Sequence, residues 1–234
     1  MSKNKYLFGL AGLALGFVVS FFWTQYYNRT QAVTVPASQA SGMPGAQGGP
    51  PSMAAVQETI AKARNNPSDF MAQIEAARLY DQIGMVPETI SYMAKAYEIN
   101  PAESDRYHIP PLIAQYYFEQ KKYEDAEAWY RRAAALRPNE PELYVQIGAS
   151  MIYKQSPEPA KALQELQSAL RLSPKNSHAL GHLIDAQILR KDARAAEEAL
   201  GRLREAEPSS PKLATYQSLI ADLKAGKPVS IPKE

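Results

Sequence analysis

The hydrophobic pattern changes character twice along the chain. From Tyr6 to Trp23 it reads YLFGLAGLALGFVVSFFW, with no charge and no proline. From Thr30 to Ser52 it reads TQAVTVPASQASGMPGAQGGPPS, with four prolines, four glycines and no charge. From Met53 onward apolar residues return at helical spacing, in short amphipathic stretches that each end near a proline. These three patterns predict a lipid-spanning helix, a flexible tether and a stack of amphipathic helices.

The first segment is long enough to span. Eighteen residues rise about 27 Å as a helix, against ~30 Å of bilayer hydrocarbon. Trp23, Tyr26 and Tyr27 stand at its exit, where aromatic rings favour the headgroup layer. Lys3 and Lys5 precede it and only Arg29 follows closely, so the positive-inside bias places residues before the span in the cytoplasm. The expected arrangement is a single-pass anchor over residues 1–29, spanning at 6–23, in an inner or plasma membrane. The remainder would then lie in the periplasm or another extracytoplasmic space. A cleaved signal peptide is the other reading, with Thr30-Gln31-Ala32 as its nearest small-x-small site. Gly12, Gly16 and Ser20 share one helix face and would let two membrane helices approach, giving a homo-oligomer; glycine is also simply common in such helices. Residues 30–52 cannot bury enough apolar surface to fold and predict a linker with a reach of roughly 25 Å.

The third segment, residues 53–224, repeats. Pro67, Pro101, Pro138, Pro174 and Pro208 lie 34, 37, 36 and 34 residues apart. Small residues recur in phase with them: Ala77, Ala114 and Gly148 in the first helix of successive units, Ala126 and Ala162 in the second. Such positions let paired helices approach closely while larger residues fill the space between. With a closing proline at this period, the chain resembles the tetratricopeptide-repeat family, which implies two antiparallel helices per unit. The expectation is therefore an all-α protein. An anchor and linker lead to an α-solenoid of about four repeats, preceded by a half-repeat at Met53–Ala63 and closed by a solvating helix at Pro211–Lys224. Residues 225–234, with Pro228 and Pro232, are expected to be irregular. Departures from the pattern are Thr89 at a usual alanine, and Ile184 and Leu203 at small-residue positions, which predict looser packing in the fourth unit. Tyr107–Pro111 should delay one helix start, and Ser156 is expected to cap the helix that follows it, with Pro157 in its first position.

The resemblance also implies a concave face lined by the first helix of each unit. Its positions here are Met71, Ile74, Arg78 and Asp81; His108, Pro111, Gln115 and Phe118; Glu142, Val145, Ala149 and Ile152, with Tyr153 beside them; and His178, Gly181, Asp185 and Ile188. Family members that grip a C-terminal carboxylate do so with Lys, Arg and Asn, and that clamp is missing. The middle of the face is apolar and aromatic, which suits a protein or peptide partner carrying an apolar segment. The alternative is that Phe118, Ile152 and Tyr153 cover one another or the linker. The third and fourth units also resemble the tetratricopeptide subunits of cytochrome c maturation haem-lyase complexes. Glu142-Leu143-Tyr144, Ile152-Tyr153-Lys154-Gln155, the proline-bearing turn, and Leu172-Ser173-Pro174-Lys175-Asn176 carry that resemblance, which extends over roughly residues 108–210. It implies a face that holds apocytochrome.

Charge and composition narrow the classes further. The net charge of +2 is the sum of +3 over residues 1–52 and −1 over the rest. A near-neutral array excludes a polyanion coat, and no nucleic acid is expected. Cysteine is absent, which removes disulfides, thiolate metal sites and cysteine nucleophiles. No glycine-rich phosphate loop, G-x-S-x-G or H-E-x-x-H occurs, so neither an enzyme nor a cofactor is expected. His178, His182 and Asp185 fall on one helix face at a spacing that can place two imidazoles and a carboxylate around a metal, although two histidines on such a face are more often plain surface residues.

Overall fold

The structure is a computed structural model that describes residues 53–99 and 106–232. All ten regular elements among these residues are helices. The membrane segment, with Gly12, Gly16 and Ser20, and the linker lie outside the described residues. No described helix is long and apolar enough to cross a membrane. The chain divides into two compact units at Ile99/Asn100.

The first unit holds α1 (Met53–Asn65), α2 (Phe70–Gln82) and α3 (Val86–Glu98). Asp69 caps α2, its carboxylate accepting from the Ala72 N–H at 3.0 Å. Gln73 is buried and donates from Nε2 to the Ala63 and Asn66 carbonyls at 2.8 and 3.2 Å. It thereby satisfies carbonyls that the end of α1 leaves open. Alanines 72, 76 and 77 are enclosed on α2, and Tyr80 stacks on Tyr92 of α3 at 5.4 Å. Thr89, where alanine was the usual residue, is also enclosed; its hydroxyl donates to the Met85 carbonyl at 3.0 Å.

The second unit holds α4 (Ile109–Glu119), α5 (Tyr123–Leu136), α6 (Pro141–Tyr153), α7 (Pro159–Leu172), α8 (Ser177–Leu189), α9 (Ala193–Ala206) and α10 (Lys212–Lys224). Each packs on its chain neighbours, and α8 packs on α6 and α10 as well. The phased prolines act here through the residue before them. Arg137, Ser173 and Glu207 leave the helix at φ −135°, −140° and −144°, because a following proline disfavours the helical conformation. The same turn then follows three times, closed by Glu140 N–H to Arg137 O, Asn176 N–H to Ser173 O and Ser210 N–H to Glu207 O.

The turn inside a repeat is also reused. Gly84 in the first unit, and Lys121 and Lys191 in the second, take φ of 72°, 60° and 59°. In each case the following N–H reaches back to a carbonyl five residues earlier, as in a Schellman cap: Met85 to Tyr80, Lys122 to Tyr117, Asp192 to Gln187. The exception follows α6, where the two extra residues sit. Lys154 is extended there, and the start of α7 differs from expectation. Glu158, not Ser156, is the cap residue, and Pro159, not Pro157, opens the helix. Glu158 precedes a proline and so cannot itself be helical.

Glu158 also anchors this turn electrostatically. Lys161 and Lys154 approach it at 2.8 and 2.9 Å, and their hydrogen bonds hold its carboxyl down to about 2, against an ordinary 4.5. A depressed carboxyl stabilises the fold above its ordinary value, and that contribution fades as pH falls from 4.5 towards 2. In a carbon-13 NMR titration Glu158 should titrate near 2, and Lys154→Met with Lys161→Met should return it towards 4.5. An ordinary midpoint in the unsubstituted chain would rule the ion pairs out.

The fourth unit does not pack loosely. Ile184 and Leu203 are completely enclosed between α8 and α9, so the bulk at these positions is taken up by the core.

Candidate peptide-binding face

In the first unit, the residues expected on the inner face are open. Met71 and Arg78 are exposed, and Ile74 and Asp81 are half-buried. In the second unit the face begins equally open, with Gln115 exposed and His108, Pro111 and Phe118 half-buried on or beside α4. It then closes. Val145, Ala149, Ile152 and Tyr153 on α6, and Gly181, Asp185 and Ile188 on α8, are all buried. Side chains so enclosed cannot meet a partner unless something moves away, which corrects the expectation of a lined groove at these positions. The reason is that α6 and α8 are flanked by helices on both sides, and their remaining face is filled by aromatic and polar side chains.

An aromatic row supplies part of that filling. Phe118 meets Tyr123 edge-on at 5.1 Å and Tyr153 at 6.2 Å, and Tyr153 meets the His182 ring edge-on at 5.7 Å. Edge-to-face contacts of this kind fix ring orientation beyond simple burial. The row runs from half-buried Phe118 on α4 to buried His182 on α8.

A polar chain continues it. His182 Nδ1 lies 3.4 Å from Tyr153 Oη and 3.3 Å from Asp185 Oδ2. The Tyr216 hydroxyl of α10 donates to the same Asp185 oxygen at 3.3 Å. The tautomer of His182 with its proton on Nδ1 donates to Asp185 as well. The four side chains are 2–5% exposed, so α6, α8 and α10 are joined by polar contacts inside an apolar core.

The metal arrangement does not form. His178 is exposed and its Nδ1 pairs with Glu142 at 3.3 Å, whereas His182 turns inward to Asp185. Four residues of helix do place the two histidines on adjacent turns, but each is claimed by a carboxylate on a different side. Among the described residues no group of three or more His, Asp or Glu is placed to hold a metal ion.

After α10 the chain doubles back. Gly226 takes φ 71°, its N–H bonds to Leu223 O, and Lys227 N–H bonds to Asp222 O. Residues 227–232 then run without regular structure, but Val229 and Ile231 pack against the core of the second unit.

Two family models match the chain, one described as tetratricopeptide repeat over residues 155–223 and one as TPR repeat over residues 114–156. Between them the two matches cover residues 114–223. No curated protein matches the chain. Among solved structures, the tetratricopeptide-repeat protein YrrB, described as having an unusual peptide-binding site, is 17% identical with a TM-score of 0.57; the match covers 70% of this chain and 82% of YrrB. A fragment of MamA (41-end) from Desulfovibrio magneticus RS-1 is also 17% identical, with a TM-score of 0.54 and coverage of 68% and 86%. At this identity the likeness is one of fold: the tandem helix pairs of these proteins and of this chain share their arrangement.

Proposed function

We propose that this chain is a membrane-tethered repeat scaffold that binds a protein partner through an apolar segment laid on the inner face of its repeats. The observation that carries the reading is the open α4 end of that face, where Gln115 is exposed and half-buried Phe118 is held edge-on by the buried rings of Tyr123 and Tyr153. The peptide-binding site named for YrrB supports the same use of the same fold. The charge-free run at 6–23 and the linker at 30–52 would hold the repeats near an envelope membrane and raise their local concentration there. The narrower reading, a haem-lyase subunit that holds apocytochrome, rests on the resemblance of residues 108–210. A homo-oligomer joined through Gly12, Gly16 and Ser20 is a structural alternative.

Photo-crosslinking in native membranes tests the proposal. A photoreactive residue at Gln115 should capture a discrete protein, identified by mass spectrometry, and capture should fall when residues 1–29 are deleted. Apocytochrome among the products selects the narrower reading, and a second copy of this chain selects the oligomer. A blank from Gln115 and Phe118 alike counts against partner binding on this face.

A further inference from the structure

We propose that the cleft between α1 and α3 of the first unit is a second docking site. It fits a short peptide segment that carries a carboxylate beside an apolar side chain. Met71, Ile74, Arg78 and Asp81, the inner-face positions of this unit, do not line the cleft. The site is therefore separate from the inner face and stands independently of the partner-binding reading.

The cleft encloses about 770 Å³, a size common among ligand sites. Gln73 of α2 lines it and is only 1% exposed, so it belongs to the floor rather than the rim. Six residues after Pro138 and Pro174 the chain has Tyr144 and Leu180; six residues after Pro67 it has this glutamine. The Gln73 Nε2 donates to the Ala63 and Asn66 carbonyls. Its Oε1 is buried and has no hydrogen-bond partner among the described residues. A buried acceptor without a donor is costly, so an N–H delivered to it gains more than one delivered to a solvated oxygen. Peptide backbone carries such donors. Oε1 is screened from solvent, so the donor reaches it only as the segment seats. Ala63, Pro67, Ala94 and Ile99 also line the cleft and offer an apolar side chain its contact.

Charge selects the rest of the ligand. Arg64 of α1 and Lys95 of α3 are exposed and line the cleft from two different helices. Lys62, close by, is paired with Glu75 at 3.1 Å, whereas Arg64 and Lys95 form no ion pair among the described residues. The Lys95 ammonium lies 4.5 Å from the centre of the Tyr92 ring, which steadies it without neutralising it. Glu98 is the single acidic side chain lining the cleft, so two cations face one anion. That balance favours a carboxylate over an ammonium. Two cations are too few for a nucleic-acid backbone, which needs a longer basic track.

The test uses the full chain in detergent and fluorescein-labelled, capped pentapeptides that carry one leucine and two glutamates among glycines, in every order. Anisotropy should show binding for some orders, and about tenfold weaker binding to Arg64→Gln/Lys95→Gln, which removes two exposed ion pairs. Glu98→Gln removes the opposing charge and should bind about two- to threefold tighter. Ser91 is exposed at the cleft, so Ser91→Trp fills it while sparing the core and every charge, and should abolish binding. The side-chain amide protons of Gln73 should shift in NMR spectra as the peptide seats. Binding by none of the orders overturns the proposal, as does equal binding of peptides with glutamine in place of glutamate. Binding that survives Ser91→Trp, or that leaves the Gln73 amide unmoved, is attraction to surface charge alone and overturns it too. Capture of a partner from Gln115 should persist in Ser91→Trp, so either site can fail without the other.

Discussion

Gly148→Val is expected to destabilise the second unit by about 3 kcal/mol, a magnitude typical of overpacking a closed core. The site is where α6 crosses α7. A Cβ added at Gly148 would stand 2.8 Å from Leu166 Cγ and 3.0 Å from its Cδ2. Leu166 is completely buried, and Cγ is the branch point of its side chain rather than a free tip, so it cannot swing aside. Helix propensity works the other way, since replacing an interior glycine gains up to ~1 kcal/mol. Gly148→Ala carries the same Cβ contact and should also destabilise, by less than valine, which adds two more carbons. A double-mutant cycle identifies the cause. Leu166→Ala alone should cost about 2–5 kcal/mol through the cavity it leaves. Combined with Gly148→Val, it should cost less than the two together by at least ~1 kcal/mol, because the valine enters that space. Urea unfolding with an unchanged m-value is the measurement. Additivity within about 0.5 kcal/mol would mean that Leu166 is not what excludes a side chain at position 148.

Gly148 also shows what was legible in the sequence. Its phase with Ala77 and Ala114 marked it as a point of close helix approach, and the structure gives the contact. The prolines were equally legible, because their effect is local: Arg137, Ser173 and Glu207 are forced from the helix by the next residue alone. The start of α7 is harder to read, for a related reason. Two prolines compete there, and the rule that excludes a helical residue before proline applies to Glu158 as strongly as to Ser156. Local rules could not show which faces the array covers. Val145, Ala149 and Ile152 lie at positions that a repeat register turns inward, and whether an inward face is open depends on what lies over it. Here α6 is enclosed by α5, α7 and α8, and Tyr216 of α10 comes over Asp185 and Gly181 from 31 or more residues away in sequence. The V-S-I alternation between Pro228 and Pro232 was the available sign that the tail docks. His178 and His182 likewise share a helix face by spacing, and only the positions of Glu142 and Asp185 separate them.

The second large effect is expected at Asp185. Its Oδ2 is the acceptor shared by His182 and the Tyr216 hydroxyl, and all three side chains are buried. Asp185→Ala takes that acceptor from two enclosed donors at once. Each buried group left unsatisfied costs about 1–3 kcal/mol, so the variant should lose about 2–4 kcal/mol. Tyr216→Phe removes one donor and leaves the carboxylate its histidine, so its cost should be about 1 kcal/mol. The two single variants thus differ in size because one strands partners and the other does not. The decisive comparison replaces Asp185 together with both of its partners, His182→Leu/Asp185→Leu/Tyr216→Phe. Exchanging an acceptor and its donors together for apolar groups is often nearly neutral, and here it should bring stability back to within about 1 kcal/mol of wild type. If the triple variant is as unstable as Asp185→Ala, the polar chain itself stabilises the core. If it recovers stability, the chain is retained for something other than stability, and the triple variant becomes the sharpest probe of the face above it. Partner capture from Gln115 should then fall while the fold remains intact, since α6, α8 and α10 would be joined without the directional contacts that set their spacing.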